Sequence, residues 1–384
     1  MKIVIAPSGF KESLSSEQAA DSIAEGIGRV CEDAEIVKVP LADGGEGFTK
    51  TLVEATGGKL YEIEVTGAVG DPIESYYGIF ENEDGVKVGV VEMAAAAGLS
   101  NVPKDQRNPL NTTTYGVGEL IKAVLDEGVE RILLGCGDSG TNDGGAGMAQ
   151  ALGVKLLTRN GEQIAKKGAG LKELERIDLS ERDERLKNIK FEVACNIKNI
   201  LCGEKGVARV FGPQKGASPE EVEEMAEMLD NYARIIKRDT GKDVALMPGG
   251  GASGGMGAGV HALLGADLKS RFDVIFDYFP LEKELEDADL VFTAEGGINF
   301  QTPHGKIPSE VARRAKKHDL PVIAIAGSIG EGWQDNYETG INAMFSILVE
   351  PCDLQDAIDN APELLADCAE NAMRAVLVGR NLRD

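Results

Sequence analysis

Hydrophobic and polar positions recur along this chain with two different periods, and the pattern predicts both helices and strands. Residues 2–6 form a short apolar run that indicates a strand. Ser15 and Gln18 have the spacing of a capping box, which predicts the start of a helix that continues to about Val30. A second strand is expected over 35–40, and a Gly-rich turn then leads into a helix that ends near Thr56. The chain therefore opens with a βα unit.

Apolar residues then begin to recur at every second position. Residues 59–66, 74–81 and 86–92 alternate apolar and polar positions, with Gly-Asp-Pro and Glu-Asp-Gly turns between them. These segments predict an antiparallel meander.

Helices and strands alternate again beyond the meander. The middle of the chain predicts helices over 114–127, 141–152 and 219–238, and strands over 131–135 and 191–195. The last hundred residues predict strands over 290–293, 321–326 and 343–349, a helix over 309–318 and a largely helical end.

This order predicts an α/β fold in which one domain interrupts another. We expect a doubly wound, Rossmann-like domain with a parallel sheet, formed by residues 1–60 together with 285–384. Residues 61–284 would form a second, dissimilar α/β domain inserted in it.

The net charge of the chain excludes some classes of binding partner. The 384 residues include 40 Lys and Arg and 64 Asp and Glu, which gives a net charge of −24. Such an acidic chain is poorly suited to nucleic acid or to an anionic membrane surface. We expect a cytoplasmic protein, because Lys11 and Glu12 interrupt any signal-like apolar run and the six cysteines suit reduced, mostly buried thiols. The oligomeric state stays open.

Six Gly-rich loops carry charged or hydroxyl residues, and three of them contain Lys. Glycine lets backbone N–H groups approach an anion, and lysine supplies positive charge, so a phosphate-bearing ligand is predicted. The loops are 8–11, 43–46, 137–145, 212–216, 249–259 and 295–306. Lys215 lies on one of these tight loops, where it has no evident role in a core.

Several enzyme classes fit poorly. The chain has no P-loop motif and no kinase-type catalytic loop. Gly249, Gly251 and Gly254 formally match GxGxxG, with 244–247 as the possible preceding strand and Asp267 as the acidic partner, although Asp267 does not look like a strand end. A nicotinamide-dependent oxidoreductase therefore stays a weak alternative.

Acidic residues in these loops are candidate Mg²⁺ ligands, because Mg²⁺ usually takes one or two carboxylates with waters and phosphate oxygens. They are Asp43, Glu46, Asp143 and Glu295. For Asp143, a helix-capping role is an equal alternative.

Taken together, the motifs resemble the class I glycerate kinases, which phosphorylate D-glycerate with ATP and Mg²⁺. The matching stretches run in order along the whole chain: Ala6-Pro7, Phe10-Lys11, 13–15, 40–47 (PLADGGEG), 112–120 (TTTYGVGEL), 141–148 (TNDGGAGM), 151–153, 211–217 (FGPQKGA), 249–259 (GGGASGGMGAG), Glu295-Gly296, Gln301-Thr302 and 305–308 (GKIP). The resemblance implies two dissimilar α/β domains with the site in the cleft between them.

The resemblance also implies roles for particular residues. Lys11, Lys215 and Lys306 would neutralise the ATP phosphates or the glycerate carboxylate. Asp43, Asp143 and Glu295 would hold Mg²⁺ or orient the acceptor hydroxyl, so the catalytic set is Lys11, Asp43, Lys215, Glu295 and Lys306. The implied nucleotide-binding residues are Gly249, Gly250, Gly251, Gly254, Gly255, Asn142, Gly144, Gly145, Gln301 and Thr302.

The chain departs from the family pattern where three active-site carboxylates become neutral. This chain has Ser8-Gly9 where the family has Asp-Ser, and Asn196 where the family has the Asp of Cys-Asp-Val. It has Gly297 and Asn299 where the family has the Arg and Asp of TGEGRxD. An amide cannot accept a proton and binds Mg²⁺ less strongly than a carboxylate. The resemblance therefore leaves three readings: a D-glycerate kinase whose product is 2-phosphoglycerate, a kinase of another small hydroxyacid, and a ligand-binding or regulatory protein that has lost phosphoryl transfer.

Overall fold

The computed structural model describes residues 1–10, 13–41, 45 and 47–381, with the side chain of Asn381 excepted. The strands are β1 (Lys2–Ile5), β2 (Glu35–Lys38), β3 (Lys59–Thr66), β4 (Pro72–Glu81), β5 (Lys87–Glu92), β6 (Arg131–Gly135), β7 (Lys155–Leu157), β8 (Arg176–Asp178), β9 (Lys190–Cys195), β10 (Asp267–Ser270), β11 (Leu290–Ile298), β12 (Val322–Ile329) and β13 (Ala343–Ser346). The α-helices are α1 (Ser16–Gly28), α2 (Phe48–Ala55), α3 (Ala94–Ala97), α4 (Tyr115–Asp126), α5 (Ala146–Ala151), α6 (Val207–Phe211), α7 (Pro219–Thr240), α8 (Ala252–Gly259), α9 (Arg271–Phe276), α10 (Leu281–Leu285), α11 (Ile307–Lys317), α12 (Leu354–Asp359) and α13 (Ala361–Asn381).

The chain divides into two compact units. The first contains Met1–Asp43 and Ile275–Asp384, and the second contains Gly44–Val274. These limits differ from the sequence-based limits at 60 and 285. One reason is α2, which packs on strands of the second unit. The Glu92 carboxylate of that unit accepts hydrogen bonds from the backbone at the start of α2.

The first unit is built on a fully parallel sheet with the strand order β13-β12-β11-β1-β2. Helices α1 and α13 pack against each other over the apolar core of this unit. β1 and β12 therefore belong to one sheet although more than 300 residues separate them. The predicted Rossmann-like, doubly wound parallel architecture is confirmed.

The second unit is built on a six-stranded mixed sheet with the order β10-β9-β6-β5-β4-β3. Its β3-β4-β5 part is the predicted antiparallel meander, and β5, β6, β9 and β10 run parallel. Strands β7 and β8 form a separate hairpin-like sheet. A second apolar core lies on this unit's own sheet.

Two local predictions were wrong. The helix expected over 141–152 covers only α5, because Gly144 and Gly145 have positive φ angles of 65° and 75° and break the helical backbone before it. Residues 244–247 form no strand, whereas Asp267 begins β10. The GxGxxG stretch therefore does not follow a strand, as a dinucleotide-binding loop would require.

Candidate active site

The first unit places several motif residues at the carboxyl edge of its parallel sheet. β1 lies between β2 and β11, and the chain winds away from it in both directions, which makes this edge a topological switch point. Open α/β sheets bind their ligands in the crevice at such a point. The loop after β1 is attached to β11 here, because the Ser8 N–H donates to the Ala294 carbonyl at 2.8 Å.

Glu295 and Lys306 form an ion pair at this edge. The Lys306 Nζ lies 2.7 Å from Glu295 Oε1 and donates to the Gly297 carbonyl at 3.0 Å. The two side chains are 17% and 29% exposed, so a ligand can reach both. An ammonium has three N–H donors, and within the described part of the chain Lys306 has these two acceptors. One donor is therefore available for a phosphate or carboxylate oxygen.

A tight loop between these two residues holds Gln301 and Thr302. The Gln301 N–H donates to Asn299 Oδ1 at 2.9 Å, and the Asn299 N–H donates to Thr302 Oγ1 at 3.1 Å. Thr302 is fully buried, and its carbonyl accepts from the Ser309 hydroxyl at 2.7 Å. Asn299 thus shapes the loop at a position where the family pattern has a carboxylate.

Two predicted catalytic residues, Lys11 and Asp43, lie outside the described residues, as does the metal candidate Glu46. The structure describes the chain that follows Asp43 from Gly47 onward, and a residue that the sequence did not point to binds this part of the chain.

That residue is Glu92, at the carboxyl end of β5. Its fully buried carboxylate accepts from the Gly47 N–H at 3.1 Å, the Thr49 N–H at 2.7 Å and the Tyr76 hydroxyl at 2.8 Å. Burial raises the pKa of Glu92, and these three hydrogen bonds oppose that rise. Glu92 therefore occupies the N-terminus of α2. The signal that could have found it is a lone acidic residue between the apolar run of β5 and the sequence Met93-Ala-Ala-Ala-Ala.

In the second unit, Lys215 is buried, contrary to the expectation of a loop lysine without a core role. Only 2% of the residue is exposed. Its Nζ donates to Ser139 Oγ at 2.8 Å, the Thr141 carbonyl at 2.6 Å and Asn142 Oδ1 at 2.8 Å. Three acceptors satisfy all three N–H groups of an ammonium. Burial lowers the pKa of Lys215 to about 7, although the nearby Asp143 carboxylate opposes this.

Asp143 makes the contacts of a capping residue. Its Oδ2 accepts from the Thr114 N–H at 2.8 Å, the Thr114 hydroxyl at 2.7 Å and the Gly147 N–H at 3.2 Å, while Oδ1 accepts from the Gly145 N–H at 3.0 Å. The carboxylate joins the starts of α4 and α5, and 1% of the residue is exposed. Burial raises the pKa of Asp143. Of the two roles predicted for this residue, the geometry favours capping.

The predicted nucleotide-binding glycines of the second unit pack against one another in its interior. A Cβ at Gly254 would overlap the Thr141 carbonyl, and one at Gly259 would overlap the Gly144 carbonyl. The Gly144 N–H donates to the Gly254 carbonyl at 3.0 Å. The predicted nucleotide-binding residues that are buried in this interior are Asn142, Gly144, Gly145, Gly249, Gly250, Gly251, Gly254 and Gly255. Close backbone packing therefore explains these glycines, and a nucleotide-binding role for them stays a prediction.

Of the predicted metal ligands in the described residues, Glu295 fits Mg²⁺ and Asp143 does not. Mg²⁺ needs accessible oxygens, whereas the Asp143 oxygens already accept four hydrogen bonds inside the unit. No group of three or more His, Cys, Asp or Glu side chains suited to a metal occurs in the part of the chain that the structure describes.

Comparisons with known proteins cover the whole chain. Residues 3–377 match the model described as "Glycerate kinase family". The chain is 48% identical over 369 residues to the glycerate kinase of Halalkalibacterium halodurans, covering 96% of each protein. It is 44% identical to the glycerate 2-kinase of Escherichia coli K12, covering 99% of each. A crystal structure presented as glycerate kinase 2 from Salmonella typhimurium LT2 is 46% identical, covers both chains completely and superposes with a TM-score of 0.85. None of the helices in the described residues is long and apolar enough to cross a membrane.

Proposed function

The chain belongs to the glycerate kinase family and is a kinase, and we propose that it transfers the γ-phosphoryl group of ATP to the 2-hydroxyl of D-glycerate. In this reaction the hydroxyl oxygen forms a bond to the γ-phosphorus while the bond to the β–γ bridging oxygen breaks. The hydroxyl proton is released, and the products are 2-phosphoglycerate and ADP. We propose the cytosol as the location of this reaction.

The observation that carries the proposal is the Glu295–Lys306 pair at the switch point of the parallel sheet. Phosphoryl transfer is catalysed mainly by positioning and by stabilising the negative charge on the transferred group. A partly exposed ammonium held at 2.7 Å from a carboxylate provides a fixed positive charge for that purpose. The carboxylate supplies an oxygen for a cation or for the acceptor hydroxyl.

Within this proposal the remaining residues have distinct roles. Lys306 and Lys11 bind phosphate oxygens or the substrate carboxylate, and Asp43 and Glu295 hold Mg²⁺ or orient the acceptor. Bound Mg²⁺ would neutralise phosphate charge. Lys215 acts indirectly, because its three hydrogen bonds fix the loop from Ser139 to Asn142.

A kinase of a different small hydroxyacid is the second candidate, and the neutral residues Asn196 and Asn299 favour it. Each side-chain oxygen accepts a backbone N–H two residues ahead, from Lys198 at 3.0 Å and from Gln301 at 2.9 Å. An aspartate would form the same turns, so the amides are not required by the local backbone. They reduce the negative charge at these positions, which suits an altered acceptor.

The test is ADP formation with ATP and Mg²⁺ over a panel of glycerate, glycolate, lactate and tartronate. We expect D-glycerate to give the highest kcat/KM. A preference of more than tenfold for another acid would support the second candidate. ADP formation with none of them would exclude both kinases, and thermal shift with each acid would then show whether the chain only binds ligands.

A further inference from the structure

Three aromatic residues come from two neighbouring surface segments of the first unit, which follow β11 and β12. Phe300 follows β11 and is 52% exposed, and Tyr337 is 45% exposed in the 3₁₀ segment Trp333–Thr339 that follows β12. Trp333 is partly exposed and is the single tryptophan of the chain. Contiguous exposed apolar patches with a polar rim mark interaction and ligand-binding surfaces.

The backbone holds these residues in fixed positions. The Phe300 N–H donates to the Glu331 carbonyl at 2.9 Å, and the backbone passes so close that a Cβ at Gly332 would lie 2.7 Å from the Phe300 Cβ. The rings of Trp333 and Tyr337 make an edge-to-face contact with centroids 5.7 Å apart and planes at 70°.

The buried side chain of Asn336 joins this aromatic surface to the ion-pair loop. Its Nδ2 donates to the Trp333 carbonyl at 2.8 Å and to the Asn299 carbonyl at 3.2 Å. Asn299 begins the loop that ends at Lys306. The hydrogen bonds of Asn336 therefore link the backbone that carries Trp333 to the loop that carries Lys306.

We propose that Phe300, Trp333 and Tyr337 form the surface on which the adenine ring of ATP stacks. Aromatic faces bind nucleobases by stacking. The neighbouring Lys306 ammonium provides the positive charge that the phosphates of the same molecule require. The location at the carboxyl edge of an open parallel sheet is where such folds bind nucleotides. This inference rests on the proposed use of ATP.

The single tryptophan makes the proposal directly measurable. Adenosine and ADP should quench the fluorescence of Trp333, whereas tripolyphosphate and D-glycerate should leave it nearly unchanged. Quenching by tripolyphosphate with no effect of adenosine would overturn the proposal. Because this measurement needs no turnover, quenching by adenosine would support the base site even if glycerate proved not to be the acceptor.

Kinetics provide the second test. Phe300→Ala and Tyr337→Ala should each raise KM for ATP by about fivefold or more, with kcat and KM for glycerate changed less than twofold. Leu354→Ala is the matched control, since Leu354 is a 75% exposed residue of the same unit and should change nothing. An unchanged KM for ATP in both aromatic variants would overturn the proposal. If those variants instead weaken a dimer seen in sedimentation while KM is unchanged, the surface binds a second copy of the chain, and the proposal is again overturned.

Discussion

The Lys215 ammonium donates to the side-chain oxygen of Asn142 at 2.8 Å, across 73 positions of sequence. Together with Ser139 and Thr141, Asn142 surrounds a charge that is almost completely removed from water. Burying a charge is costly, as the lowered pKa of Lys215 shows, and its three hydrogen bonds offset part of that cost. Lys215 is therefore a part of the interior that fixes the loop after β6.

This burial predicts that Lys215→Ala lowers both stability and turnover. The variant leaves three acceptors without a donor and creates a cavity, so the free energy of unfolding should fall by at least about 2 kcal/mol. Turnover should fall at least about tenfold, or 1.4 kcal/mol in the barrier. Urea denaturation and steady-state kinetics measure the two effects. Lys205→Ala, at an exposed position, should change stability by less than about 0.5 kcal/mol. An unaltered melting point in Lys215→Ala would contradict the structural role.

Lys215 should also make stability depend on pH. Its pKa is about 7 in the folded chain against an ordinary value of 10.5. Between these values the unfolded chain binds more protons, so the contribution of Lys215 to the free energy of unfolding should rise with pH, by up to about 1.4 kcal/mol per pH unit. Urea titrations of the wild type and Lys215→Met at pH 7, 8 and 9 measure this difference. Parallel curves would show that burial does not lower the pKa.

Glu92→Gln should disturb the start of α2 and, through it, the segment that contains Asp43. The amide has one acceptor oxygen in place of two, so it cannot accept from Gly47, Thr49 and Tyr76 together. An unsatisfied buried N–H costs about 1–3 kcal/mol, and we expect a loss of that size in urea denaturation. Tyr76→Phe removes one hydrogen bond and should cost about 1 kcal/mol. If the two variants are equally stable, the backbone bonds of Glu92 do not anchor the helix.

Lys306→Ala should differ from Lys215→Ala in its effect on stability. Lys306 is 29% exposed, and its contacts are one ion pair and one carbonyl, so the loss of stability should stay below about 1 kcal/mol. Turnover should nevertheless fall at least about tenfold, because a charge that stabilises the transferred phosphoryl group is removed. Lys317→Ala, at the exposed last position of the helix α11 that follows Lys306, is the control. Turnover within twofold of the wild type would exclude Lys306 from the site.

The local signals in the sequence were enough to predict most elements. The capping box predicted at Ser15 is present, the helix predicted over 219–238 is α7, and the strand predicted over 131–135 is β6. Each depends on neighbouring residues alone. The helix predicted over 141–152 was too long because a distant segment, around Gly254 and Gly259, packs against its first residues.

The candidate site shows the same difference between features set by neighbouring residues and features set by distant ones. The motif around Glu295 and Lys306 could be found because both residues lie on one short segment, which begins in β11 and continues into the loop after it. The burial of Lys215 and the hydrogen bonds of Glu92 depend on residues tens of positions away. The local sequence does not show the burial of Lys215, and for Glu92 it offers only a lone acidic residue after an apolar run. A Gly-rich loop that binds a phosphate and a Gly-rich loop that packs tightly have the same composition, so only the structure separates them.

The central claim is that this chain phosphorylates the 2-hydroxyl of glycerate. The most direct test is a ³¹P NMR spectrum, recorded without proton decoupling, of the product formed from ATP, Mg²⁺ and D-glycerate. We predict ADP together with a phosphomonoester doublet, split by the single proton on C2. A triplet, split by the two protons on C3, or no new phosphomonoester would contradict the claim.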